Sequence, residues 1–146
     1  MCNPNVAYRF KFLLQNTREI QVDKNWTELN QEALDHMQRG ELPKAIHLTR
    51  HALDMAIREH GEEYPTVGII LNNLGELCRM GGDLQEAEKA LLKAAQIIEK
   101  VNGATSAEVA ETLNNIANMY MESHRWQEAQ PLMERVVNIY EKIQVT

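Results

Sequence analysis

Between Leu71 and Ile98 the apolar residues fall at helical spacing. Leu71, Leu74, Leu77 and Cys78 make one stripe, and Leu84, Ala87, Leu91, Ala94, Ala95 and Ile98 make another. Between them lies Gly81-Gly82, where left-handed backbone is available for a short turn. The pattern predicts two antiparallel helices packed stripe to stripe. It then returns 42 residues later, as LNNLGEL at 71–77 becomes LNNIANM at 113–119 and Gln85-Glu-Ala87 becomes Gln127-Glu-Ala129. Over the thirty pairs from 71/113 to 100/142, nine residues are identical, against roughly two expected from average composition.

Carried along the chain, the period gives three units, 26–67, 68–109 and 110–146, after an N-terminal extension at 1–25. Gly40, Gly82 and His124 fall in register, as do Leu42, Leu84 and Trp126, and Gly61 matches Gly103. Helix starts are signalled by Asn25…Glu28, Asp83…Glu86 and Thr105-Ser-Ala-Glu108, each with the spacing of a capping box. Pro65 stands where a first-turn proline loses no hydrogen bond. In the extension, Val6, Phe10, Leu13 and Leu14 fit the face of a capping helix. Val6, Tyr8, Phe10 and Phe12 also alternate as in a strand; helix is the favoured reading. The expected fold is all-α, a right-handed α-solenoid of antiparallel helix pairs.

Small residues carry the second level of the pattern. Ala33, Gly75 and Ala117 lie on the first helix of each unit, and Ala45, Ala87 and Ala129 on the second. Small side chains at a crossing let two backbones approach while large neighbours fill the grooves beside them. This register resembles the tetratricopeptide repeat, lengthened to 42 residues; HEAT-type repeats reach a similar period but do not require it. The run Gly61-Glu-Glu-Tyr-Pro-Thr-Val67-Gly-Ile-Ile-Leu-Asn-Asn-Leu74 resembles the G-x-x-H-P-x-V-A-x-x-L-N-N-L run of kinesin-light-chain-like proteins, with Tyr64 for the usual His. The third unit keeps Gly103, Val109, Ala110 and Leu113-Asn-Asn-Ile116, with Ser106-Ala107 for His-Pro. In the first unit Glu32 stands where its siblings have Leu74 and Ile116, and His36 where they have Cys78 and Tyr120, as expected of a terminal repeat.

Charge narrows the partners. The chain has 146 residues and a formal charge of −6; its first 25 residues are net basic, so the net negative charge lies in the repeats. Nucleic acid and anionic membrane are held by clustered Lys and Arg, so neither is expected as a partner. No apolar run approaches the ~18 residues that span a bilayer, and the N-terminal residues lack the pattern of a signal peptide. Two cysteines, Cys2 and Cys78, provide no disulfide framework and suit a reducing cytoplasm. The remaining expectation is a protein or peptide partner, with no cofactor.

Helical geometry then selects candidate contact residues. Positions one, four, eight, eleven and twelve places beyond each unit start project to one side of the first helices. They place Asn30, Asn72 and Asn114 in one row, Leu34, Glu76 and Asn118 in a second, and Met37, Arg79 and Met121 in a third. Ile69 and Met80 flank them, and Glu111 and Glu122 share the side. Asparagine offers a donor and an acceptor to the backbone of an extended peptide, and the family resemblance implies that use for the first Asn of the L-N-N motif. Thioethers suit varied apolar contacts. With Arg79 as the one basic residue in these rows, capture of a terminal carboxylate is not expected.

The competing readings are a self-assembling unit and, least favoured, a metal enzyme. The first rests on Val136, Val137, Ile139, Tyr140 and Ile143, more apolar positions than one helix face needs; Val137, Tyr140 and Ile143 are the candidate self-association residues. The second rests on His47-Leu-Thr-Arg-His51, two histidines on one helical face, but Leu48 stands where the zincin pattern needs Glu. Surface or capping histidines are the simpler account. His124, in a turn-glycine position, would be strained by about 1–2 kcal/mol if its φ is positive.

Overall fold

A computed structural model describes residues 25–145; the proposed capping helix at Val6–Leu14 lies outside them. Among the described residues there are six helices and no strand: α1 (Trp26–Gln38), α2 (Leu42–His60), α3 (Pro65–Met80), α4 (Leu84–Asn102), α5 (Ala107–Glu122) and α6 (Trp126–Val145). They pair as α1 with α2, α3 with α4 and α5 with α6, and α2 packs on α3 as α4 packs on α5. Gly68, near the start of α3, lies against Ile97 and Ile98 near the end of α4, whereas Gly75, farther along, lies against Leu91 and Ala87. The two helices therefore run antiparallel. A Cβ on Gly75 would come within 2.5 Å of Leu91 Cγ, so this crossing needs a residue without one.

Turns and caps follow from local chemistry. Gly40, Gly82 and His124 have φ of 75°, 84° and 59°. Each sits in a turn where the next residue's N–H reaches five positions back: Glu41 to His36, Asp83 to Cys78 and Arg125 to Tyr120, at 2.9, 2.9 and 2.8 Å. That closure requires a left-handed residue just past the helix, so His124 adopts the strained conformation its register implied. At the helix starts, Asn25 and Glu28 form the full capping box, and Asp83 Oδ1 accepts from Glu86 N–H at 3.1 Å. In the third unit the cap is Ser106, whose Oγ accepts from Val109 N–H at 3.2 Å, rather than Thr105. Burial of Val109 and Ala110 sets where α5 begins, and Glu108 is then one position too early to reach back.

The largest part of the core joins units two and three. Leu74, Cys78, Leu91, Ala94 and Ile98 are continuous with Val109, Leu113, Ile116 and Tyr120. Ala33, Gly75, Ala117, Ala45, Ala87 and Ala129 are all buried, as the small-residue register requires. Burial raises the pKa of the Cys78 thiol, so it behaves as a small hydrophobe.

Candidate protein-interaction groove

Within α3, Asn72, Glu76 and Arg79 lie four and three residues apart, on one face of the helix. Two side-chain contacts show what that face meets. Asn115 Nδ2 donates to Asn72 Oδ1 at 3.2 Å, and Arg79 donates to Glu122. Both pairs are 43 residues apart, one repeat plus one residue. The first helices α3 and α5 thus lie side by side, tied by polar groups across the face that carries the expected rows.

Arg79 also donates to both oxygens of Glu76, at 3.0 and 2.5 Å. These bonds raise its pKa further, Glu76 contributing most and Glu122 adding to it. Its guanidinium is shared between two carboxylates of the same face, which removes the free cation that a terminal carboxylate would need. Glu111, Asn114 and Asn118 on α5 are exposed, while Met121 is half-buried against the core. Ile69 and Met80, 50% and 47% exposed, stand at opposite ends of the α3 face. In the first unit Asn30, Leu34 and Met37 are half-buried.

Asn72 makes no other side-chain hydrogen bond among the described residues, so no acceptor among them engages its two N–H donors. Asn30 differs: its Oδ1 is buried without a partner. Asn73, 43 residues on, occupies the register place from which Asn115 serves Asn72. A buried acceptor left unpaired costs about 1–3 kcal/mol. The repeat period alone did not reveal Asn115 as the partner of Asn72; the doubled Asn of Leu113-Asn-Asn-Ile116 was its one signal.

The histidines have local roles where their contacts are resolved. His36 Nδ1 lies 3.1 Å from Glu41 Oε2, and His60 stacks on Tyr64 with ring centroids 4.2 Å apart. His47 is exposed on α2 and His51 half-buried. Among the described residues no group of three or more His, Cys, Asp or Glu side chains could hold a metal ion. No helix among them is long and apolar enough to cross a membrane.

Of the self-association candidates, Val137 and Tyr140 project outward from α6 at 54% and 43% exposure. Ile143 is exposed too, but it stands seven residues after Val136 and four after Ile139, on the buried side of the helix. Trp126 and Met133, which share the outward face, were not singled out from sequence; their register with Leu84 and Leu91 was the available signal.

Antiparallel helix pairs stacked through continuous cores define an α-solenoid, a class that generally works by holding other proteins. The sequence model of the tetratricopeptide repeat matches residues 25–98 and 70–142, and the chain belongs to that family. It is similar to the protein kinesin light chain-related 3 of Arabidopsis thaliana, 26% identical over 113 residues, covering 77% of this chain and 17% of that one. It therefore spans about a sixth of that relative's length. Among solved structures it resembles BtubC (BKLC) from P. vanneervenii, with a TM-score of 0.78 and 24% identity over 86% of this chain and 52% of the other. A putative kinesin light chain of Podosopora anserina with nearly identical TPR-like repeats gives 0.70 and 22%, over 83% and 57%. The fold is that of the kinesin-light-chain-like tetratricopeptide proteins, and repeats of this type generally mediate protein–protein interaction and are typically non-catalytic.

Proposed function

We propose that this chain is a non-catalytic adaptor that holds an extended peptide or protein segment in a concave groove formed by α1, α3 and α5. The observation that carries the reading is the Asn72–Asn115 bond. It engages the oxygen of Asn72 and fixes the side chain, leaving its N–H donors for carbonyls of a bound backbone. Asn114, exposed one unit on, repeats the offer. Ile69, Met80 and Met121 supply apolar contact beside the polar row, Met121 with the part not packed on the core. With Arg79 engaged by Glu76 and Glu122, the ligand is recognised along its length rather than by a terminal carboxylate. A reducing, cytoplasmic setting suits the unpaired buried Cys78.

The test uses peptides selected from a random display library on the purified protein. Replacing Asn72 and Asn114 by Ala should weaken a selected peptide about tenfold or more, since two backbone-directed bonds at roughly 1 kcal/mol each are lost. The melting temperature should change little. Unchanged affinity in a folded double variant would remove the groove assignment.

A further inference from the structure

Each first helix carries a flanking pair of groove residues, one and twelve places beyond its unit start. The pairs differ in chemistry from helix to helix: Thr27 and Gln38 on α1, Ile69 and Met80 on α3, Glu111 and Glu122 on α5. Eleven residues separate the members of a pair. That is about three helical turns, so both lie on one face, roughly 16 Å apart along the helix. Between them on α3 stand Asn72 and Glu76, and on α5 Asn114 and Asn118.

These flanking places stay open inside the stack. Ile69 and Met80 are exposed although α5 lies beside α3. The same register places on α5 are therefore groove surface whether or not a further helix lies beside it, and both Glu111 and Glu122 are exposed. Their charge is not cancelled. Glu111 has no cationic partner among the described residues. Glu122 shares Arg79 with Glu76, and the side chains of the two carboxylates are 48% and 28% exposed against 20% for that of Arg79. The cation thus lies beneath its partners, and the groove presents three carboxylates to one guanidinium.

An extended segment sends successive side chains to opposite sides, with its carbonyls at right angles to them. Laid across α3 and α5 with carbonyls toward the asparagines, it points its side chains along the helix axes. Two consecutive side chains over α3 then meet Ile69 and Met80, and two over α5 meet Glu111 and Glu122. Packed helix axes lie ~8–10 Å apart, which an extended chain covers in about three residues. At α5 an acidic ligand side chain is repelled, and an apolar one strips water from a carboxylate without replacing it. Lysine or arginine reaches each carboxylate on a flexible apolar stem and keeps its charge at the water boundary.

We infer, resting on the groove reading above, that the bound segment carries two adjacent apolar residues over α3 and, about three residues away, two adjacent basic residues over α5. Peptides selected from a random display library on the purified full chain should show that pattern. Changing both basic residues of a selected peptide to Gln should weaken binding about threefold to tenfold at low salt, and less at high salt, as exposed ion pairs do. Against Glu111→Gln, whose exposed position leaves helical content and melting temperature intact by circular dichroism, the same peptide change should cost less, the coupling that a direct pair produces. Selected peptides that lose affinity in the Asn72→Ala/Asn114→Ala variant, yet carry no basic pair or bind Glu111→Gln as tightly as wild type, would overturn this inference and leave the groove standing. Peptides indifferent to the asparagine changes, or a library that yields no binder, would overturn both.

Discussion

The face tying α3 to α5 and the outward face of α6 are both open to solvent, yet they are built on opposite principles. The first is polar and internally bonded, through Asn72–Asn115 and the Glu76–Arg79–Glu122 chain. The second presents the large, uncharged side chains of Trp126, Met133, Val137 and Tyr140. A polar face held in place offers hydrogen bonds to a ligand at little ordering cost. An apolar stripe offers only area, which suits a partner equally apolar. Leu91 of α4 and Met133 of α6 share a register place and are both large and apolar, but among the described residues only the first is covered.

The widest gap between covered and uncovered places should appear in stability. Leu91→Ala removes a fully buried side chain beside Gly75 and should cost about 3 kcal/mol in denaturant unfolding. Met133→Ala, at the same register, should cost under about 0.5 kcal/mol in the monomer. Equal losses would mean that the α6 stripe is packed after all. A smaller effect distinguishes the turns. His124→Gly should gain up to about 1 kcal/mol by releasing the positive-φ strain that Gly40 and Gly82 never incur; a loss would show that the His124–Trp126 ring contact at 5.6 Å outweighs it.

Acid gives the smallest effect. Hydrogen bonding from Arg125 lowers the pKa of Glu128, and bonding from Lys44 lowers that of Glu41, below the ordinary 4.5. In the window just below 4.5 the unfolded chain binds more protons at these groups, so stability is present above it and falls as pH drops through the folded values. Both groups are exposed, so Glu128→Gln should flatten acid unfolding only slightly, more at low salt than at high. A steeper acid transition in that variant would contradict the assignment.

Much of this was legible from the chain because the 42-residue echo compares each residue with its counterparts. The period assigns Gly40, Gly82 and His124 one backbone role, which their positive φ angles match, and sets Gly75 and Cys78 on faces that are buried. What the echo hides is contact between units: the polar links between the first helices α3 and α5 fall at 43 residues rather than 42, so the period points to Asn114 and not to Asn115. It also hides which way a residue faces: Val136 and Val137 read alike in sequence, but Val136 is buried and Val137 is exposed. Ser106 replaced Thr105 as a cap because core packing, not capping chemistry, sets where α5 starts.

The two faces can be separated in one titration. A display-selected peptide is measured by fluorescence anisotropy against the wild type, the Asn72→Ala/Asn114→Ala variant and the Val137→Glu variant. The account predicts that affinity falls about tenfold or more in the asparagine variant and stays within about twofold of wild type in the Val137 variant. Loss of binding in the Val137 variant, with the asparagine variant unaffected, would place recognition on α6 and contradict it.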